Sequence, residues 1–142
     1  MRFLPTFAIC LAAFFALDLV WLGVVADGFY QAQLGTLLKE EVYWPAALLF
    51  YLVYVAGVVH FAVRSAVSSG RIARGFLQGA AFGLVTYAAF DLTALALIRD
   101  FGILVAVVDL AWGAVLGGTV SAVGTWFTLR SVHAITDSPS HP

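Results

Sequence analysis

The sequence has one cysteine, one methionine and four prolines in 142 residues, and only 11% of its residues are charged. A single cysteine, Cys10, excludes an intramolecular disulfide and any cysteine-based metal cluster. Its place in an apolar run fits a small buried side chain. Seven Lys and Arg against eight Asp and Glu give a net charge of -1, which provides no basic patch for a nucleic acid. So few charges cannot coat a water-soluble globule, whose residues are about 25% charged. A soluble enzyme and a disordered chain are excluded by the same shortage. No glycine-rich phosphate loop stands outside the apolar segments, and His60 has no plausible axial partner, so no nucleotide, flavin or haem cofactor is expected.

What is abundant is apolar: 63% of the residues are hydrophobic and 15% aromatic. A helix that crosses a bilayer needs roughly 20 mostly apolar residues. Four segments supply them, at about residues 4–25, 44–63, 75–98 and 103–129. The expected fold is all-α, one domain over residues 1–130 built as an integral membrane bundle of four transmembrane helices. Pro45 suits the first turn of the second helix, where no N–H is needed. The polar stretch Arg64 to Arg74 reads as the link between the second and third spans, and residues 131–142 as a disordered tail. Val24-Val25-Ala26 loosely resembles a signal-cleavage site, but the apolar run before it is too long and contains Asp18, so the first span is expected to remain.

Phe29, Tyr30, Leu34, Leu37, Leu38 and Val42 recur near helical spacing between the first two spans, with Gln31, Gln33, Lys39 and Glu40 on other faces. A short amphipathic helix lying in the outer interface is expected there, with Tyr43 and Trp44 as anchors. The second link holds Arg64, Arg71 and Arg74 and no acid, whereas the outer links mix both signs. The positive-inside rule therefore puts this link, together with Arg2 and Arg130, on the cytoplasmic side. Both ends of the chain are expected in the cytoplasm, and the protein in a bacterial inner membrane.

Asp18, Asp91 and Asp109 lie inside these spans, where each costs about 2.5–3.5 kcal/mol on the insertion scale. No Lys or Arg sits within a span to neutralise them. Each lies six or seven residues from the outer end of its helix, about 10 Å deep. A short Asp side chain cannot reach the interface from there, so the three are expected to share one polar site in the outer half of the membrane. Gly75, Gly79, Gly83, Tyr87 and Asp91 follow one another at i, i+4 on one stripe, as do Asp109, Gly113, Gly117, Ser121 and Thr125. Gly79, Gly83, Gly113 and Gly117 are expected to let the two helices approach closely.

Tyr51, at the acids' level, Tyr87, one turn deeper than Asp91, and Thr93 are candidate hydrogen-bond partners. Trp21 and Trp112 each follow an Asp by three residues, so an indole N–H could donate to a carboxylate while its ring walls a pocket. This recurring Asp-x-x-Trp on oppositely directed spans hints at an inverted repeat, a pattern common in transporters.

Taken together, Asp18-Leu-Val-Trp21-Leu-Gly23, Ala47-Leu-Leu-Phe-Tyr51, Tyr87-Ala-Ala-Phe-Asp91-Leu-Thr93 and Val108-Asp109-Leu-Ala-Trp112-Gly113 resemble an uncharacterised bacterial family of predicted membrane proteins, domain-of-unknown-function family 2177. The match runs through nearly the whole chain in order and spacing. Three positions that are polar in the family are Phe90, Ala94 and Leu97 here. The resemblance implies a four-helix fold and supplies no activity.

Three carboxyls in a low-dielectric site cannot all stay ionised, and they titrate as a coupled unit. The first expectation is therefore proton- or cation-coupled transport of a small solute, with Asp18, Asp91 and Asp109 as carriers and Tyr51 and Tyr87 orienting them. A membrane enzyme of lipid modification is the alternative, its acids acting as general acid and base or holding a hard divalent cation. No nucleophile–base pair accompanies them. A non-catalytic subunit or assembly factor, pairing its acids with a partner's cationic helix, is the third. Beyond the lipid bilayer, a homo-oligomer or a membrane partner is expected, and no nucleic acid.

Overall fold

A computed structural model describes the backbone of residues 1–136, and their side chains except those of Ala26, Asp27 and residues 133–136. Among the described residues the chain is helical apart from short links and has no strand. Helix α1 (Phe3–Trp21) passes through a π-helical turn, Leu22–Ala26, into α2 (Asp27–Leu34) and a 3-10 turn at Gly35–Leu37. Helix α3 (Trp44–Gly57) likewise continues through a π-helical stretch, Val58–Val63, into α4 (Arg64–Ser68), and α5 (Ile72–Leu97) and α6 (Ile103–Thr136) follow.

Four helices are long and apolar enough to cross a membrane: Phe3–Val25, Trp44–Ser68, Ile72–Leu97 and Ile103–Val132. This is a membrane protein, with large apolar side chains such as Leu4, Val24, Leu77 and Leu97 more than 60% exposed on its flanks. Such surfaces are stable only against lipid.

The spans reach further than apolar composition suggests. Arg64 to Arg74 is mostly helix rather than link, because nothing in Arg64-Ser-Ala-Val-Ser68 breaks a helix once its ends pass into the headgroups. Gly70 makes the stop. At φ +64° it occupies the left-handed position that favours glycine. There its N–H bonds to the Val67 carbonyl and that of Arg71 to the Ala66 carbonyl, at 3.1 and 3.3 Å. The turn joining α5 to α6 is equally tight, with Asp100 at φ 65°, a conformation Asp tolerates better than most side chains. Helix α6 runs on to Thr136, past residue 130, and residues 137–142 of the expected tail lie outside the described residues.

Helices α5 and α6 make the closest pairing. A methyl group added at Gly79 would collide with the Gly117 carbonyl, and one at Gly83 with the Gly113 carbonyl. The backbones touch because no side chain intervenes, which gains dispersion contact where lipid supplies no hydrophobic drive. Against this pair α1, α3 and the π-helical stretch after α3 bury Cys10, Phe14, Tyr54, Val55, Val58, Val59 and Val63, with Leu116 and Val120 of α6. Near the arginine-bearing end Thr6 and Thr128, both buried, share a hydrogen bond of 2.9 Å. Three antiparallel turns bring the start of α1, the end of α4 and the end of α6 to that one end, where Met1, His60 and Arg64 line a common cleft. The aspartates lie toward the opposite end.

Candidate functional site

The α5 stripe that meets α6 through glycine also carries Tyr87 and Asp91. The Tyr87 ring lies over Gly113, where an added methyl would stand 2.5 Å from its Cγ. One turn further along, Asp91 is wholly enclosed, at 0% exposure. It lies within electrostatic reach of Asp109 across the helix pair. Neither Asp91 oxygen has a hydrogen-bond partner. Two facing carboxylates bring no hydrogen between them, whereas a single proton on either would turn the contact into a hydrogen bond.

Asp109 is held from above. The Tyr30 hydroxyl donates a hydrogen bond to its Oδ1 and accepts one from the Trp21 indole N–H at 3.2 Å. Burial, then the Asp109 carboxylate accepting its hydrogen, holds the Tyr30 phenol above the ordinary tyrosine range. Trp21 stacks on Trp112 with ring centroids 4.3 Å apart. Trp112 itself leaves its indole N–H buried without a partner.

Asp18 stands in a different arm of the site. Its Oδ2 accepts from the Tyr51 hydroxyl at 2.8 Å. Tyr87, within electrostatic reach of both Asp18 and Asp109, lies between the two arms. The acids thus fall into a pair, Asp91 with Asp109, and a single residue, Asp18 with Tyr51.

Several candidate residues are arranged otherwise than their spacing suggested. Thr93 is exposed and lines a shallow cleft of about 200 Å³ with Phe90, Ala94 and Leu97. Two residues along a helix are about 200° apart, so Thr93 and Asp91 face opposite ways. Neither indole N–H reaches a carboxylate directly, since Trp21 acts through Tyr30. Sequence reasoning missed Tyr30, which reads as one apolar residue of an interfacial helix. Nine residues after Trp21, it would sit on the opposite side of an ideal helix. The π turn at Leu22–Ala26 alters that phase, since its i→i+5 bonding takes more residues per turn. No sequence spacing announces such a turn.

Among the described residues no three His, Cys, Asp or Glu side chains converge in a way that could hold a metal ion. The arrangement offers two oxygens of Asp91 without donors, a facing carboxyl, and the Tyr30 phenol bonded to that carboxyl. It can hold a proton or a monovalent cation between oxygens, and it contains no nucleophile beside a base.

Comparison with known proteins adds a family and no activity. No curated protein matches the chain, and no solved structure does. The model of one family, described as predicted membrane protein (DUF2177), matches residues 3–126, which is most of the chain and includes Asp18, Tyr30, Asp91 and Asp109, and the chain therefore belongs to that family.

Proposed function

We propose that this is a small multi-pass protein of the bacterial inner membrane whose buried aspartates bind and release a proton, or a monovalent cation in its place, to move a small solute. The observation that carries this reading is Asp91, a fully enclosed carboxyl that faces a second carboxyl and has no donor. A carboxyl in the hydrocarbon layer is expensive, and those retained there mark ion and proton paths. Asp18 and Asp109 each accept a phenol hydrogen, so Asp91 is the group left to take the ion. A proton on Asp91 joins α5 to α6 at this end by a hydrogen bond to Asp109, and its departure leaves two like charges there. Occupancy of the site is thereby coupled to the fit between helices.

The arginines at the other end favour an orientation with both chain ends in the cytoplasm and the acids in the outer half of the bilayer. In that orientation Asp27–Leu34 lies at the outer interface, with Tyr43 and Trp44 as aromatic anchors.

Reconstituted liposomes test the reading. A potassium diffusion potential drives proton entry, with a mixture of small solutes on both sides of the membrane, read by a trapped pH-sensitive dye. The native chain should acidify the lumen faster than protein-free liposomes, and Asp91→Asn and Asp109→Asn should return the rate to that baseline. Equal rates for the native chain, both variants and empty liposomes would defeat it.

A further inference from the structure

The polar stripe His60, Arg64 and Ser68 runs along an exposed edge of the second span, one turn apart at each step. An exposed polar stripe on a lipid-facing helix needs a polar neighbour. Two clefts meet on it. One, of about 430 Å³, is lined by His60, Phe61, Arg64, Ser65 and Ser68. The other, of about 290 Å³, is lined by Met1, Phe3, His60 and Arg64. His60 and Arg64 are common to both, and none of the lining residues is acidic.

Depth indicates what fills them. Arg64 follows Trp44 by 20 residues of uninterrupted helix, a rise close to 30 Å. That is about the thickness of the hydrocarbon layer, so a Trp44 ring at one interface puts the Arg64 guanidinium at the phosphates of the other leaflet. Phe61, 64% exposed and stacked on Phe82 at 5.9 Å, offers a flat apolar surface just below, at the depth of the acyl chains.

The donor set is that of a phosphate site. Arg64 presents a guanidinium fork, which matches phosphate oxygens two at a time. His60 adds an imidazole N–H. Ser65 already accepts a hydrogen bond from the Gln78 amide at 3.2 Å, so its own hydroxyl hydrogen is free to donate. Arg2, Arg71, Arg74 and Arg130 belong to the same end, and their field favours a ligand with net negative charge over a zwitterion.

We propose that His60, Arg64 and Ser65 form a binding site for the phosphate headgroup of an anionic glycerophospholipid, whose acyl chains lie along Phe61. The site is separate from the aspartates and holds whether or not they carry protons.

Native mass spectrometry of the full chain in mild detergent, supplied with equal amounts of phosphatidylglycerol and phosphatidylcholine, tests it. The native chain should retain phosphatidylglycerol in preference. Arg64→Gln should retain it about tenfold less, while Arg74→Gln, which removes the same charge at the same end, should retain it as the native chain does. Arg64→Lys keeps the charge without the fork and should fall between, which preserves the test if the glutamine variant does not fold by circular dichroism. Undiminished retention in both Arg64 variants overturns the site. So does equal loss in Arg74→Gln, which means diffuse attraction, or release of the lipid by millimolar inorganic phosphate, which means a soluble anion is the occupant.

Discussion

Trp21 and Trp112 lie face to face, their ring centroids 4.3 Å apart and their planes 9° from parallel. Each stands three residues beyond an aspartate on its own helix, so the stack clamps α1 to α6 at the level of Asp18 and Asp109. Offset stacking of aromatic pairs adds about 0.5–1.5 kcal/mol beyond area burial. Here it also fixes the indole that donates to Tyr30.

That link makes Tyr30 the most sensitive single residue of the site. Tyr30→Phe deletes one hydroxyl and strands two groups, the Trp21 N–H and an Asp109 oxygen. The expected loss of stability is about 1–3 kcal/mol, read from denaturant unfolding in detergent, together with a change in indole fluorescence from the stacked pair. Unfolding indistinguishable from the native chain would mean that the hydrogen bonds at Tyr30 contribute nothing.

Tyr30 also makes stability depend on alkaline pH, with a definite sign. Burial and the neighbouring Asp109 raise its folded value above the unfolded one near 10. The folded chain therefore keeps a proton that the unfolded chain releases, and the stabilisation is complete below about pH 10 and lost as pH rises further. Phenolate absorbance of the native chain minus that of Tyr30→Phe should be flat across about pH 10 to 11. A phenolate step within that interval would show Tyr30 ionising as an ordinary tyrosine.

The glycine contact between α5 and α6 separates positions by what an added methyl would meet. Gly83→Ala drives a carbon into the Gly113 carbonyl, a backbone group that cannot rotate aside. Overpacking of this kind costs about 1–3 kcal/mol. Gly23→Ala meets nothing within 4 Å and should be neutral or up to about 1 kcal/mol stabilising, since alanine is the better helix former. Detergent-induced unfolding midpoints of the two variants distinguish them, and equal midpoints would contradict close contact at Gly83.

Much of the bundle is legible in the sequence because a bilayer leaves so few options. An apolar run of about 20 residues has to be helical, and the four runs are obvious. The stripe joining Gly79, Gly83 and Asp91 follows from period alone. Legibility ends where the period is interrupted or misapplied. Thr93 reads as a neighbour of Asp91 by number, yet the helix turns it to the other side. Tyr30 reads as part of an apolar face, and only the π turn before it swings its hydroxyl onto Asp109. The helical reach of Arg64–Ser68 is hidden because polar residues at a span's end look like loop, although arginine and alanine are good helix formers.

The backbone contact at Gly79 and Gly83 divides the molecule mechanically into unequal parts. Helices α5 and α6 form a frame whose separation would forfeit contact along several turns at once. The continuous α1–α2 rod is fastened to that frame, near the acids, by one stacked ring pair and one tyrosine hydroxyl. A movement of α2 alone breaks the two hydrogen bonds of Tyr30 and leaves the α5–α6 contact untouched, so this fold can uncover Asp109 without separating its frame.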